Sequence, residues 1–400
     1  MSFQQGLSGL NAASKNLDAI GNNVSNANTV GYKSSAAQFS DVFAGALASG
    51  GTQIGIGTSL AEVAQNFSQG NINTTSNALD VAINGKGFFR MDNAGTITYS
   101  RNGQFQMDKQ GYLVNAKDEK LTGYSVDANG VISTASVAPI KVTMDNISPK
   151  PSTTSTLSMN LDSGAAVTTV TPFNPTTVGS YTSSTSFTVY DQQGKASTLG
   201  LYMAKSATNT WDVYGTLDGT AMAAKVGTLT FGNNGVLAGG SPMTATLSAT
   251  NPLLNNVALD FTGTTQFGSA FGVNQITQDG YTAGKVTGFN IGTDGVIQAR
   301  YSNGQSRPQA QIILANFTNV NGLQQLGGNA WAETSESGPA INNSPGTGLA
   351  GALQAGAVEE ANVDLTAELV NMITAQRVYQ ANAQTIKTED SVMQTLVNLR

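Results

Sequence analysis

The sequence predicts a multidomain, mainly β chain. Two β-domains, one inserted into the other, are carried on a stem of N- and C-terminal α-helices that form a coiled coil. Three observations predict it. Each end carries apolar residues every seven positions, the repeat that places a narrow stripe on one side of a helix and leaves it needing a partner. Nothing between the ends reads as a long helix. The middle is rich in glycine (45 residues), Thr, Ser and Asn, with short alternating apolar runs, which suits strands joined by tight turns.

At the N-terminus the repeat is Phe3, Leu10, Leu17 and Val24, with Gly6, Ala13, Ile20 and Ala27 three positions after each. The segment is a weak helix former. It contains Gly6, Gly9 and Gly21 and six asparagines by residue 28, and glycine costs about 1 kcal/mol per site relative to alanine. Short isolated helices are marginal even with good residues, so this end is expected to be disordered in the monomer and helical on assembly. It should stop in the run Asn22-Asn23-Val24-Ser25-Asn26-Ala27-Asn28, because asparagine side chains compete for main-chain hydrogen bonds.

At the C-terminus Leu365, Met372, Tyr379, Ile386 and Met393 recur every seven residues, joined by Leu369, Ala383 and Val397. The helix should begin near Asn362 or Asp364. Glu359, Glu360, Asp364 and Glu368 then sit at its positive end, with Lys387 and Arg400 toward the other. At about 1.5 Å per residue it spans roughly 50 Å. Residues 1–30 and 361–400 form the expected stem, its two stripes packing together and against other copies. The polar residues Gln376, Gln380, Gln384 and Lys387 are candidates for the inner wall of a tube built from such stems.

Composition narrows the chemistry. The chain has no Cys and no His, which removes disulfides, thiolate catalysis, Ser-His chemistry and the usual zinc and iron ligands. A net charge of −6 with 11% charged residues argues against a nucleic-acid partner. The absence of a run of 18 apolar residues argues against a membrane span. Residues 1–14 lack a basic n-region and an unbroken apolar core, so no cleaved secretory signal is expected. An enzyme would need paired carboxylates or a Ser-Lys arrangement. Most Asp residues here stand beside Gly or Asn in turn contexts, so no catalytic, cofactor or metal site is expected.

After the first helix, residues 31–70 mix small apolar residues with glycines and read, together with 356–360, as an irregular, partly extended connector. Residues 71–144 read as β. Val81 and Ile83 alternate, Asn84-Gly85 turns, and Phe88, Phe89 and Met91 resume the run, so a hairpin is expected there. Gly85-Lys86-Gly87 lacks the spacing of a phosphate loop. Asx-Gly turns recur at Asp127–Gly130, Asn234-Gly235 and Asp294-Gly295; no further oxygen ligands follow at calcium-loop spacing. From Pro149 and Pro151 the composition shifts to Ser and Thr, yet Leu157, Met159 and Leu161 alternate as a strand would. Residues 145–284 are therefore expected to be an outer β-domain inserted into an inner one made of 71–144 and 285–355. The stretch 327–356 reads as a loop returning to the stem.

Several strings carry a resemblance. Gly21-Asn-Asn-Val-Ser-Asn-Ala-Asn-Thr-Val-Gly31-Tyr-Lys33 looks like the N-terminal signature of the rod and hook family of bacterial flagellar axial proteins. Asn362-Val-Asp-Leu365 and Ala375-Gln-Arg-Val-Tyr-Gln-Ala-Asn-Ala-Gln-Thr-Ile-Lys-Thr388 are similar to its C-terminal signature, and Tyr99–Phe105 resembles its β-domain. The large middle segment favours a hook member over a distal rod or hook-filament junction subunit. An exported β-rich adhesin would explain the middle but not two matched terminal heptads. The resemblance implies a helical homopolymer: a flexible curved tube, a universal joint carrying motor torque from rod to filament. The implied partners are the distal rod protein, the hook cap protein, the hook-filament junction protein and the flagellar export apparatus. The implied location is the flagellum outside the cell.

Overall fold

A computed structural model describes residues 2–42, 55–127 and 130–398. Two long helices bracket a chain otherwise built from strands: α1 (Ser2–Ser25) and α2 (Leu365–Asn398). The chain forms two compact units. One comprises Met1–Thr143, Gly288–Arg300 and Ser306–Arg400; the other comprises Met144–Thr287 and Tyr301–Gln305.

The helix ends follow local chemistry. Asp364 precedes α2, and its carboxylate accepts the N–H groups of Thr366 (2.9 Å) and Ala367 (3.1 Å), satisfying donors that the helix itself cannot. The α1 C-terminus lies in the asparagine run, where the Asn26 amide donates to the Asn22 carbonyl at 2.9 Å. Arg400 and the glycines at 45, 50 and 51 lie outside the described residues.

The described part of residues 31–70 holds two regular strands. Strands β1 (Ser35–Val42) and β2 (Gly57–Gln65) pair antiparallel, with a bulge between Gln38 and Phe39. The hairpin lies against α1: Gln5 Nε2 donates to the Gly55 carbonyl at 2.6 Å, and Ser8 Oγ accepts the Thr58 N–H at 3.3 Å. Its strands are short of large β-branched residues, so the pattern in the sequence is faint and the pairing depends on the helix alongside.

In the rest of the first unit, β3 (Ile72–Thr74) pairs with Ala357–Glu359, and β4 (Val81–Asn84) with Ala352–Ala355. β5 (Phe88–Asn93) pairs with β6 (Thr96–Ser100) and also with Lys120–Val126 and Leu314–Asn316. The expected hairpin across Asn84-Gly85 is therefore a crossover between sheets, because β4 takes its partner from the far end of the chain. Phe89 and Met91 point into one cluster with Val81, Ile83, Leu121, Ile312 and Leu353, while Phe88 points into another with Tyr99, Phe317 and Trp331. Successive side chains on a strand face opposite sides, so β5 is buried on both. The stretch expected as a returning loop instead holds strands Ala330–Ala332, Ile341–Asn343 and Ala352–Ala355.

In the second unit, Thr154–Asp162 lies in a five-stranded sheet, and Ala196–Ala207 and Thr210–Leu217 lie in a six-stranded one. Both sheets contribute to one core, in which Leu157, Met159, Leu161, Leu199, Trp211, Val213 and Phe261 are buried. Each such side chain stabilises the unit by roughly 1.5–3 kcal/mol. The segment's ends meet: the Ile147 N–H donates to the Gly284 carbonyl at 2.9 Å, and the Lys150 N–H to the Tyr281 carbonyl at 3.0 Å. The Asx turns hold, with Val236 N–H on Asn234 Oδ1 and Val296 N–H on Asp294 Oδ1. Residues 128–129 of the Asp127–Gly130 turn lie outside the described residues.

Candidate subunit-packing surface and its anchor

α1 and α2 pack along one another through small and polar residues. The row facing α2 is Gly6, Gly9, Ala13 and Ile20, which flanks the large apolar row on the helix surface. A Cβ on Gly6 would stand 3.1 Å from Ile386 Cγ1, and one on Gly9 2.8 Å from Asn382 Oδ1. The glycines that weaken α1 in isolation therefore let the two backbones approach. Ala13, Ile20 and Ala375 are buried there. A groove of about 260 Å³ opens between α1, β1 and α2, bordered by Asn16, Ser35, Glu368, Asn371 and Val378.

Within one chain the contact uses the small-residue positions of the α1 repeat more than its large apolar ones. Of the residues expected in the seam, Ile20 and Ile386 take part in this contact. Leu10, Leu17, Val24 and Met372 are half-buried. Phe3 is exposed, and α2 presents Leu365, Leu369, Tyr379 and Met393 exposed as well, Met393 to 61%. Gln376, Gln380, Gln384 and Lys387 are all exposed. Small residues permit the closer approach and so face inward, leaving the large apolar side chains outside.

Below this pair lies a polar anchor that sequence reasoning missed. Asn23 is buried, and its side chain makes four bonds. Nδ2 donates to the Ser35 carbonyl (2.8 Å) and to Glu368 Oε1 (3.0 Å); Oδ1 accepts from Ser35 N–H (2.9 Å) and Tyr32 Oη (3.1 Å). Those bonds use the whole capacity of an amide. Burial pushes the Tyr32 phenol above its ordinary value. Asn362 holds the other side, accepting from Ser34 N–H at 2.7 Å and donating to the Asn66 carbonyl at 2.7 Å.

Lys33 continues the anchor inward. Its ammonium lies 2.6 Å from Glu359 Oε1, and Arg101 Nη1 lies 3.0 Å from Glu359 Oε2; the side-chain exposures are 0% for Lys33 and Glu359 and 4% for Arg101. Lys33 also donates to the Ser68 carbonyl (2.6 Å), Arg101 to the Gly85 carbonyl (2.8 Å), and Gly70 N–H to Glu359 Oε1 (2.9 Å). Burial pushes the Lys33 ammonium below its usual value, and Glu359 opposes the shift; burial likewise lowers Arg101, again opposed by Glu359. Gly31, at φ +71°, lets the chain reach this point, since a Cβ there would lie 2.5 Å from Asn102 N. Glu359 therefore does not serve the positive end of α2, as its sequence position suggested; Asp364 does. The available signals were the lone lysine closing Gly31-Tyr32-Lys33 and the arginine in Tyr99–Phe105.

Four family profiles match the chain in order. They are described as flagella basal body rod protein (residues 3–33), flagellar hook protein FlgE/F/G D1 domain (82–160), flagellar basal body protein FlaE D2 domain (160–281) and flagellar basal body rod FlgEFG protein C-terminal (354–399). The chain is 41% identical to the flagellar hook protein FlgE of Escherichia coli strain K12 and 42% identical to that of Salmonella typhimurium, each over 100% of both chains. The chain belongs to the flagellar hook protein FlgE family. The Rhizobium meliloti member is 33% identical over 100% of this chain and 98% of its own. A solved structure, the Helicobacter pylori flagellar hook protein FlgE2, shares the fold with a TM-score of 0.54 at 16% identity, covering 72% of this chain and 99% of that one. The anchor draws on three of the matched segments of this hook protein: Lys33 from the first, Arg101 from the D1 match and Glu359 from the C-terminal match.

Proposed function

We propose that this hook family member is a structural, non-catalytic subunit whose copies polymerise through residues 1–30 and 361–400 into a tube. Residues 31–70 and 356–360 act as the connector, 71–144 and 285–355 as the inner β-domain, and 145–284 as the outer inserted β-domain. The tube bends as a universal joint while carrying torque from rod to filament. The outer domains slide against their neighbours while the stem stays connected. The observation that carries this reading is the apolar surface that α2 leaves exposed at Leu365, Leu369, Val370, Ile373, Tyr379 and Met393 although the helix already packs on α1. Such a surface marks an interaction site, and a helical polymer of identical chains covers it. Phe3, Leu10, Leu17 and Val24 complete the intersubunit seam, and Gln376, Gln380, Gln384 and Lys387 supply a polar channel wall. The distal rod, hook cap and hook-filament junction proteins are the neighbours at the tube's ends. The chain reaches its place outside the cell through the flagellar export apparatus. The test is Leu369→Asp. The monomer should keep its circular dichroism and melting point, while electron microscopy should find no tubes. Normal tubes from this variant would sink the seam assignment.

A further inference from the structure

We propose that the second unit carries a binding site for one neutral pyranose sugar ring, in the cleft where its two sheets meet. The hairpin turn at Asn209, the turn 232–235 and the strand end at Phe267 border a pocket of about 250 Å³. The residues that line it are all uncharged, so it offers an ion no counter-charge. Its amides are not free to turn. The Trp211 indole is buried, and an indole N–H can only donate. It donates to Gln266 Oε1 at 2.8 Å, which points Gln266 Nε2 at Asn209 Oδ1 (3.1 Å), and that in turn points Asn209 Nδ2 at Asn233 Oδ1 (3.2 Å). Each link fixes which end of the next amide donates. The relay ends on the exposed Asn233, whose Nδ2 has no partner among the described residues. The rim therefore presents donors in one orientation, and the hydroxyl or acetamide oxygens of a sugar can accept from them. Phe267 supplies the second element. It is 48% exposed, and its ring lies against Gly235, where a Cβ would stand 2.8 Å from Cδ1. An apolar ring beside aligned amide donors matches a pyranose, which is apolar across its C–H face and polar around its edge. The volume lies below the ~300–1,000 Å³ of sites for drug-sized ligands, so it suits one ring, free or at the end of a glycan. Every contributing residue lies within 144–287, so the site is independent of the terminal helices and of their role in assembly.

Two-dimensional NMR of the full-length subunit, reading backbone and side-chain amides, tests this. The probes are the methyl glycosides of glucose, galactose, mannose and N-acetylglucosamine. At least one should shift the side-chain amides of Asn209 and Asn233 and the Trp211 indole N–H, with a dissociation constant of about 1 mM, and leave the Trp331 indole unmoved. Phe267→Ala and Asn233→Ala, both at exposed positions, should each weaken that sugar about tenfold. Trp211→Phe removes the donor that orients the relay and should weaken it comparably, although Trp211 does not line the pocket. The trisaccharide of the same sugar separates the two sources: equal affinity assigns the end of a glycan, and loss of binding assigns the free sugar. Glucuronate should bind no better than methyl glucoside. Absence of shifts with all four glycosides would overturn the site. So would binding that survives both Phe267→Ala and Asn233→Ala, or a preference for glucuronate, which would assign an anion instead.

Discussion

Asn23 and Glu368 are 345 positions apart in the chain, yet Asn23 Nδ2 lies 3.0 Å from Glu368 Oε1. The bond ties the last turn of α1 to the first turn of α2, at the point where β1 also meets them. Replacing Asn23 with Leu removes this bond and three others and leaves Ser35 N–H and its carbonyl without their side-chain partner. Each buried group so stranded costs about 1–3 kcal/mol. Limited proteolysis should then cut within α1 of the monomer while both β units persist. An α1 as resistant as in the wild type would show that the anchor adds nothing.

The glycines of α1 divide into two kinds, and substitutions should separate them by sign. Gly6→Leu forces a side chain against Ile386 and should cost about 1–3 kcal/mol of helix docking by overpacking. Gly21→Ala meets nothing within 4 Å, so it should strengthen α1 by about 1 kcal/mol through helix propensity alone. Far-UV circular dichroism of the two monomers over a thermal ramp tests this, and equal behaviour would contradict the close-packed seam.

Asp279 predicts an acid sensitivity of the second unit. Burial raises its carboxyl, but the N–H groups of Thr154 and Thr153, the Thr153 hydroxyl and Lys150 together outweigh that and hold it below its usual 3.8. A carboxylate depressed in the folded state stabilises above its unfolded value and loses that contribution as pH falls through the folded one. Asp279→Asn should therefore be less stable than the wild type at pH 7, and the gap should narrow below about pH 4. Urea midpoints of the second unit across that range are the measurement; parallel curves would refute the assignment.

The meeting of Ile147 with Gly284 bears on the domain proposal. Joining residue 144 to residue 285 through a short Gly-Ser linker should leave the first unit folded and able to polymerise, because insertions with adjacent ends are removable. The shortened subunits should form tubes that are straighter or melt earlier. An insoluble product would mean that the two β regions share a core.

What the sequence determined by itself was whatever depends on neighbours along the chain. The extents of α1 and α2 were legible in the asparagine run and at Asp364, because caps act within a turn. The strand at Leu157, Met159 and Leu161 was legible in its alternation, and the Asx turns in their own side chains. The tertiary structure alone decided the rest. β4 passes over β5 to pair with Ala352–Ala355, since strand pairing obeys the lowest free energy of the whole sheet and not proximity in sequence. Gly6 and Gly9 read as helix breakers until α2 lay against them, where the absence of a Cβ is what the contact needs. Glu359 read as a charge for the nearest helix, yet it went to Lys33 and Arg101, because a buried carboxylate is stabilised by the cations the fold brings to it and not by those its position in the chain suggests.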